Sequence, residues 1–208
     1  MRTHGWSSDL PQDDAEARRR IIAATRRCVD RLGPEKTGLA SVAAEVGVSR
    51  PTIYHYFPST EALLRETGVE AAAEFLDRLA AHLVLLEDPL EILLESLIYS
   101  AEHLPVDPYV SLLLVTGHTE SFVRSITTPL GRAAGLALLA RLPIDWPALG
   151  ADSGSLDELN ELMLRTLQSL ILEPLGRPEM RAYLDRWIRP ALLAHLELGT
   201  ARHRQGWG

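Results

Sequence analysis

Apolar residues recur along this chain at helical spacing and almost never alternate. Between residues 14 and 32, Ile21, Thr25, Cys28 and Leu32 form one stripe, widened by Ile22 and Val29. Apolar positions three and four apart define one face of a helix. Asp13 or Asp14 can cap its start, and Gly33-Pro34 stops it. Leu39, Val42, Ala43 and Val46 repeat the spacing over a short run, and Gly47 follows where a left-handed C-cap belongs. Ser49 is an N-cap for a third helix, and Pro51 is tolerated in its first turn. Ile53 and Phe57, four apart, face the core, which leaves Arg50, Thr52, Tyr54, His55 and Tyr56 to face elsewhere. Ser59 then opens a long helix over roughly 59–86. In it Leu63, Leu64 and Val69 pack back on the first three helices, and Phe75, Leu79 and Leu83 continue the stripe.

Further helical patterns cover about 88–104, 107–118, 119–142 (broken at Pro129), 155–174 and 178–198. Asp88-Pro89, Pro105, Asp107-Pro108 and the stretch from Pro143 to Gly154 separate them. No strand alternation persists, so the expected fold is all-α. The last two patterns are unusually apolar. Leu156, Leu159, Met163, Leu167, Leu170 and Ile171 lie on one, with Leu162, Leu164 and Leu172 on further faces. The other carries Met180, Leu184, Trp187, Ile188, Ala191 and Leu196. A helix apolar on two faces needs two partners. A second copy of the chain supplies one in an isologous four-helix interface over about 155–174 and 178–198.

Composition narrows the class. A chain of 208 residues with 46% hydrophobic and 24% charged residues can build one or two domains with a real core. The lone Cys28 excludes an intrachain disulfide, which suits a reducing compartment. Residues 1–13 lack an apolar signal-peptide core and read as a mobile arm, and no run of about 18 apolar residues marks a membrane span. The expected location is cytoplasmic. The net charge is −7, yet residues 1–65 carry ten Lys/Arg against eight Asp/Glu, and the rest of the chain carries −9. A slightly basic head on an acidic body fits a partner of negative charge.

The stretch 38–57 is therefore the informative one. Two short helices joined by a tight turn, the second presenting an Arg, hydroxyls, phenols and an imidazole, form a helix-turn-helix whose second helix enters the major groove. Over 14–70 the chain resembles the TetR family of transcriptional repressors. The run Gly47-Val48-Ser49-Arg50-Pro51-Thr52-Ile53-Tyr54-His55-Tyr56-Phe57 carries the likeness. Residues 80–208 resemble the family only in layout. The resemblance implies a three-helix DNA-binding head at 14–70 and a helical ligand-binding and dimerisation body at 71–208. It also implies a homodimer on a palindromic double-stranded operator, and release by a small, largely apolar effector. Carried over by position, Thr37 would meet a phosphate. Arg50, Pro51 and Thr52 would face bases, and their cap Ser49 belongs to the same DNA-binding set. Tyr54 and Tyr56 would meet phosphates, and His55 would lie at the rim. Gly38 and Thr60 stand where members often have a Thr and a Lys that touch phosphate, so the salt dependence should be shallow.

Candidate chemistry elsewhere is sparse. Tyr99, His103, Tyr109 and His118 are the candidate polar anchors of a ligand pocket, with Glu102, Glu120 and Arg124 near them in sequence. His103, His118 and Glu120 share no i, i+4 ligand spacing, so no metal site is expected, and no cofactor. No GxSxG, HExxH, P-loop or dinucleotide fingerprint occurs, which argues against an enzyme. The alternative function is a helical interaction protein of the same fold that acts through a protein partner.

Overall fold

The computed structural model describes residue 6, residues 10–110, residue 112 and residues 127–196, and the described elements are helical throughout. Most of the expected arm, most of the expected helix over 107–118, the start of the one over 119–142, His118, Glu120, Arg124 and the residues beyond 196 lie outside the described residues. The chain divides into two compact units, the first holding the described residues up to Glu74 with 107–110 and 112, the second holding the rest.

In the first unit, α1 (Asp14–Leu32) begins where Asp13 accepts the Glu16 N–H and ends at Gly33, whose φ of 79° suits glycine. A single 3₁₀ turn leads to α2 (Leu39–Val46), α3 (Arg50–Tyr56) and α4 (Thr60–Leu83), with Ser59 capping α4 through the Ala62 N–H. Ile21, Ala24 and Cys28 from α1 meet Val42 from α2, Ile53 and Phe57 from α3 and its C-cap, and Leu63 from α4. Each large side chain so buried stabilises the unit by about 1.5–3 kcal/mol. The buried Thr25 satisfies its hydroxyl on the Ile21 carbonyl at 2.9 Å. Two expected core positions differ: Leu32, in the last turn of α1, and Val69, on the outer face of α4, are both exposed. A second cluster of Val29, Leu64 and Leu112 seats the 107–112 segment on α1 and α4.

The division between the units falls within α4, after Glu74. The second unit holds the end of α4, α5 (Pro89–His103), α6 (Pro129–Leu139), α7 (Ser153–Leu172) and α8, which starts with Arg177–Tyr183. α7 packs against α5 and α6, and α5 also packs against α8. Helix α8 widens into a π turn at Leu184–Ile188 and resumes to residue 196. Pro190 explains the widening. A proline lacks its N–H and its ring clashes with the carbonyl four residues back. The Arg189 N–H accordingly reaches five residues back, to the Leu184 carbonyl. Glu91 on α5 receives Arg181 and Arg189, and Glu95 and Glu102 receive Arg177, so ion pairs run along the α5–α8 seam. Trp146 is buried, its indole N–H donating to the Leu139 carbonyl at 2.9 Å. Trp187, on the helix expected to meet a second copy, is 61% exposed within the subunit. No helix of the described residues is long and apolar enough to cross a membrane.

Candidate nucleic-acid interface

The turn between α2 and α3 forms as its sequence dictates. Gly47 adopts φ 79°, ψ 32°, and the N–H groups of Gly47 and Val48 both reach the Ala43 carbonyl at 3.0 Å. Ser49 then accepts the Thr52 N–H at 3.3 Å and starts α3. A helix of seven residues does not hold itself together in water, so its neighbours must fix it. Ile53 and Phe57 anchor it from below, both fully buried. At its far end Arg18 of α1 donates to the Tyr56 carbonyl at 2.9 Å. The same guanidinium pairs with Glu66 of α4 and lies 4.5 Å from the centre of the Phe57 ring. Arg18 thus closes the C-terminus of α3 and ties it to α1 and α4. In the sequence Arg18, Arg19 and Arg20 form one basic run, and no local signal distinguishes Arg18 from its neighbours.

What α3 presents outward is narrower than the spacing of Ile53 and Phe57 suggested. At about 100° per residue, Arg50, Tyr54, Pro51 and His55 fall on one half of the helix, and Thr52, Tyr56, Ile53 and Phe57 on the other. Ser49, Arg50, Pro51, Tyr54 and His55 are exposed. Thr52 is only 2% exposed, with its hydroxyl 2.7 Å from that of Ser49. Tyr56 is half-buried against the head core, its phenol pushed up by burial and by the Asp14 carboxylate. Thr37 is 3% exposed and donates to the Gly33 carbonyl at 2.8 Å. Thr37, Thr52 and Tyr56 are therefore corrected from outward groups to groups that shape the turn and seat the helix. On the exposed face, Arg50 donates to the Tyr54 hydroxyl at 3.2 Å and lies 5.4 Å from its ring centre. This preorganises an extended guanidinium beside a phenol.

The charge of the head is largely spent internally. Arg27 and Arg31 of α1 both pair with Glu45 of α2 and hold its carboxyl below the usual carboxylate range, Arg27 foremost. Arg26 pairs with Glu74 at 2.9 Å and Glu70 at 3.6 Å, and Arg20 pairs with Glu16. Arg19, Lys36, Arg50 and Arg65 carry no ion pair among the described residues. Gly38 and Thr60, the two departures from the family pattern, are neighbours. A Cβ added at Gly38 would stand 3.7 Å from the Thr60 hydroxyl, an ordinary contact.

Of the candidate ligand anchors, Tyr99, His103 and Tyr109 are among the described residues. Tyr99 stacks on His103 at 4.1 Å, and the His82 ring lies tilted against it at 4.7 Å. His103 is exposed and faces its own helix through the Tyr99 carbonyl. Tyr109 belongs to the first unit, where its hydroxyl donates to the Asp30 carboxylate at 2.7 Å and Arg26 lies 5.1 Å from its ring centre. Among the described residues no group of three or more His, Cys, Asp or Glu side chains could hold a metal.

A capped seven-residue helix that offers Arg50, Tyr54 and His55 from a helix-turn-helix defines a DNA-binding regulator. The comparisons with known proteins agree. Residues 21–67 match the model of the bacterial regulatory proteins of the tetR family. An uncharacterized HTH-type transcriptional regulator of Mycobacterium bovis is 30% identical over 170 residues, covering 78% of this chain and 84% of the relative. One from Mycobacterium tuberculosis is 28% identical over 165 residues with the same coverage. Among solved structures, the TetR family repressor AlkX from Dietzia sp., implicated in biodegradation of n-alkanes, aligns at a TM-score of 0.60 and 19% identity. The match covers 86% of this chain and 96% of that one. The multidrug binding protein EbrR, complexed with imidazole, aligns at 0.55 and 23% identity over 87% and 95%. These two show the shared all-helical fold. The chain belongs to the TetR family of HTH-type transcriptional regulators, which are DNA-binding regulators and not enzymes.

Proposed function

We propose that this chain is a homodimeric repressor of a palindromic operator, released from DNA by a small, largely apolar ligand. Residues 14–70 act as the DNA-binding head and 71–208 as the ligand-binding and dimerisation body. The observation that carries the reading is the outward half of α3. Arg50 supplies a bidentate donor for guanine O6 and N7. Tyr54 supplies a phosphate donor, Ser49 and Pro51 line the approach, and His55 lies at the rim. Thr37, Thr52 and Tyr56 position this face from beneath it.

Dimerisation is supported by exposed large apolar residues at the end of α7, in the link after it and on α8: Leu172, Leu175, Tyr183, Trp187 and Leu193. Exposed apolar side chains concentrated on one pair of helices mark an association surface. Two heads so joined reach successive major grooves about 34–36 Å apart. A ligand that prefers a different head spacing weakens DNA binding by its differential affinity, and DNA weakens ligand binding by the same factor.

The test is selection of bound duplexes from a random library at two salt concentrations, with the particle mass measured by sedimentation. A recovered palindrome bound by a dimer supports the reading. Recovery of no preferred sequence at either salt would sink it in favour of action through a protein partner.

A further inference from the structure

The recognition helix α3 needs a directional restraint at its C-terminal end. The last carbonyls of a helix have no partner within it, and that end carries the negative pole of the helix dipole. The buried Ile53 and Phe57 fix the depth of α3, but apolar contact is non-directional and leaves its rotation and tilt open. Ser49 restrains the start through the Thr52 N–H. At the far end Arg18 makes three contacts at once. Its Nη1 donates to the Tyr56 carbonyl at 2.9 Å. Its Nε donates to one Glu66 oxygen at 3.0 Å and its Nη2 to the other. Its guanidinium carbon lies 4.5 Å from the centre of the Phe57 ring.

A planar fork can meet a carboxylate, a carbonyl and a ring together; the point charge of a lysine cannot hold all three. The two side chains are 38% and 40% exposed, and an ion pair so exposed contributes modestly to stability. Its placement is what distinguishes it: it joins α1 to α4 and ends on the last carbonyl of the helix that carries Arg50 and Tyr54. Nor does Arg18 have the form of a phosphate ligand. Its charge is matched by Glu66, whereas the adjacent Arg19 carries no ion pair among the described residues.

We propose that Arg18 and Glu66 are positioning residues for DNA recognition. Neither touches DNA; together they hold α3 at the angle that separates its operator from other sequences. The proposal rests on the reading that α3 meets base edges. Its test uses the full-length wild type, Glu66→Gln, Arg18→Lys, Arg18→Gln and the double variant Arg18→Gln/Glu66→Gln. Each is titrated at several salt concentrations with two probes: the duplex selected from the random library, and a scrambled duplex of the same length and composition. Urea unfolding checks that each variant is folded.

The sign of the Glu66→Gln effect is the decisive reading. As a charge alone, removing a carboxylate from the head would tighten both duplexes. As half of a clamp, its loss should weaken the selected duplex by about tenfold, the effect of one charge-assisted hydrogen bond, and leave the scrambled one no weaker. Arg18→Lys keeps the charge and should lose discrimination to a similar degree. Arg18→Gln should leave the salt slope unchanged, and the double variant should be no worse than either single change, since the two residues act as a unit. Glu66→Gln that discriminates as well as the wild type, Arg18→Lys with wild-type affinity, or an Arg18→Gln slope lowered by about 0.9 per lost phosphate contact would each overturn the clamp. Glu66→Gln decides the matter by itself if an Arg18 variant does not fold. A wild type that recovers no preferred duplex would overturn the operator reading and this role with it; a wild type that discriminates and a Glu66→Gln that does so equally would overturn the clamp alone.

Discussion

Replacing Gly135 with Ala tests the close approach of α6 and α7 directly. In an unconstrained helix this change stabilises by about 1 kcal/mol, because alanine loses less backbone entropy than glycine. Here the new Cβ would stand 2.0 Å from Asn160 Oδ1 and 3.0 Å from its Cγ. The carboxamide cannot stay. Turning it away breaks the 2.9 Å bond to the Arg132 carbonyl, worth about 0.5–1.5 kcal/mol, and leaves a buried amide unsatisfied at about 1–3 kcal/mol. Set against the helix gain, Gly135→Ala should destabilise by about 1–3 kcal/mol. Asn160→Ala alone loses the same hydrogen bond and leaves a cavity. In the double variant the alanine methyl occupies space the carboxamide has left, so the clash disappears and the helix gain remains. The double variant should therefore be more stable than Asn160→Ala, with a favourable coupling of about 2 kcal/mol or more. Urea unfolding of the four proteins at one protein concentration and unchanged m value measures the cycle. A Gly135→Ala protein as stable as the wild type, with the two changes additive within about 0.5 kcal/mol, would refute the contact and the orientation assigned to Asn160.

Arg50→Ala should relax base preference at one position of each half-site at about 1–3 kcal/mol per contact, and a repeat of the duplex selection that returns the same preference would contradict that role. Trp187→Ala should shift the dimer toward monomer in sedimentation by about 2 kcal/mol or more, as truncating a central interface aromatic does; an unchanged association constant would place the interface elsewhere. Glu91→Gln should flatten the acid limb of stability. Burial pushes the Glu91 carboxyl up, but hydrogen bonds from Arg189 and Arg181 more than reverse it, and it ends below its ordinary value. A carboxyl depressed in the folded state stabilises fully above the unfolded value, near about 4.3, and loses that contribution as pH falls further; melting temperatures from pH 7 down to 3.5 should thus converge for variant and wild type at the acid end. Gly38→Thr should steepen the dependence of log affinity on log salt if its hydroxyl recruits a phosphate contact, by at most about 0.9 for each added contact, and an unchanged slope would mean that no phosphate passes the Gly38–Thr60 corner.

The elements whose signals are local were legible. Asp13, Ser49 and Ser59 all cap the helices they precede. Gly47 takes the left-handed conformation, and Ile53, Phe57, Leu63, Phe75 and Leu79 are buried. Thr52 and Tyr56 were misplaced because a four-residue spacing fixes the centre of a helix face and not its width. The π turn in α8 has a local cause in Pro190, but a proline can equally kink or end a helix. The remainder depends on residues far apart in sequence. Arg18 meets Glu66 across 48 positions, and Asn160 meets the Arg132 carbonyl across 28. Composition shows that such groups exist and does not pair them. Which apolar residues of 178–198 its own subunit covers was not legible either: Leu184 is buried and Trp187 exposed, and periodicity does not distinguish a face covered by its own fold from one left for a second copy.

The first unit also shows how the recognition helix can respond to events outside it. α3 is too short to carry its own stability, so its position is that of its supports: Ser49 at one end, Arg18 at the other and the Ile53–Phe57 face below. Arg18 is shared with Glu66 of α4. One and two turns further along the same pair of helices, Arg26 reaches Glu70 and Glu74, and the 107–112 segment is seated on them by Leu112, Tyr109 and Asp30. That segment follows α5 directly in the chain. A shift of it that pulls on Asp30 or Arg26 is a shift of α1 against α4, and Arg18 bridges those same two helices while holding the end of α3. Displacing the Tyr56 carbonyl by a few tenths of an ångström moves Arg50 and Tyr54 with it, because the helix between Ser49 and Tyr56 has no other register to adopt. A helix so short is therefore the element least able to resist a rearrangement of its supports, the property that release from DNA would use under the proposed function.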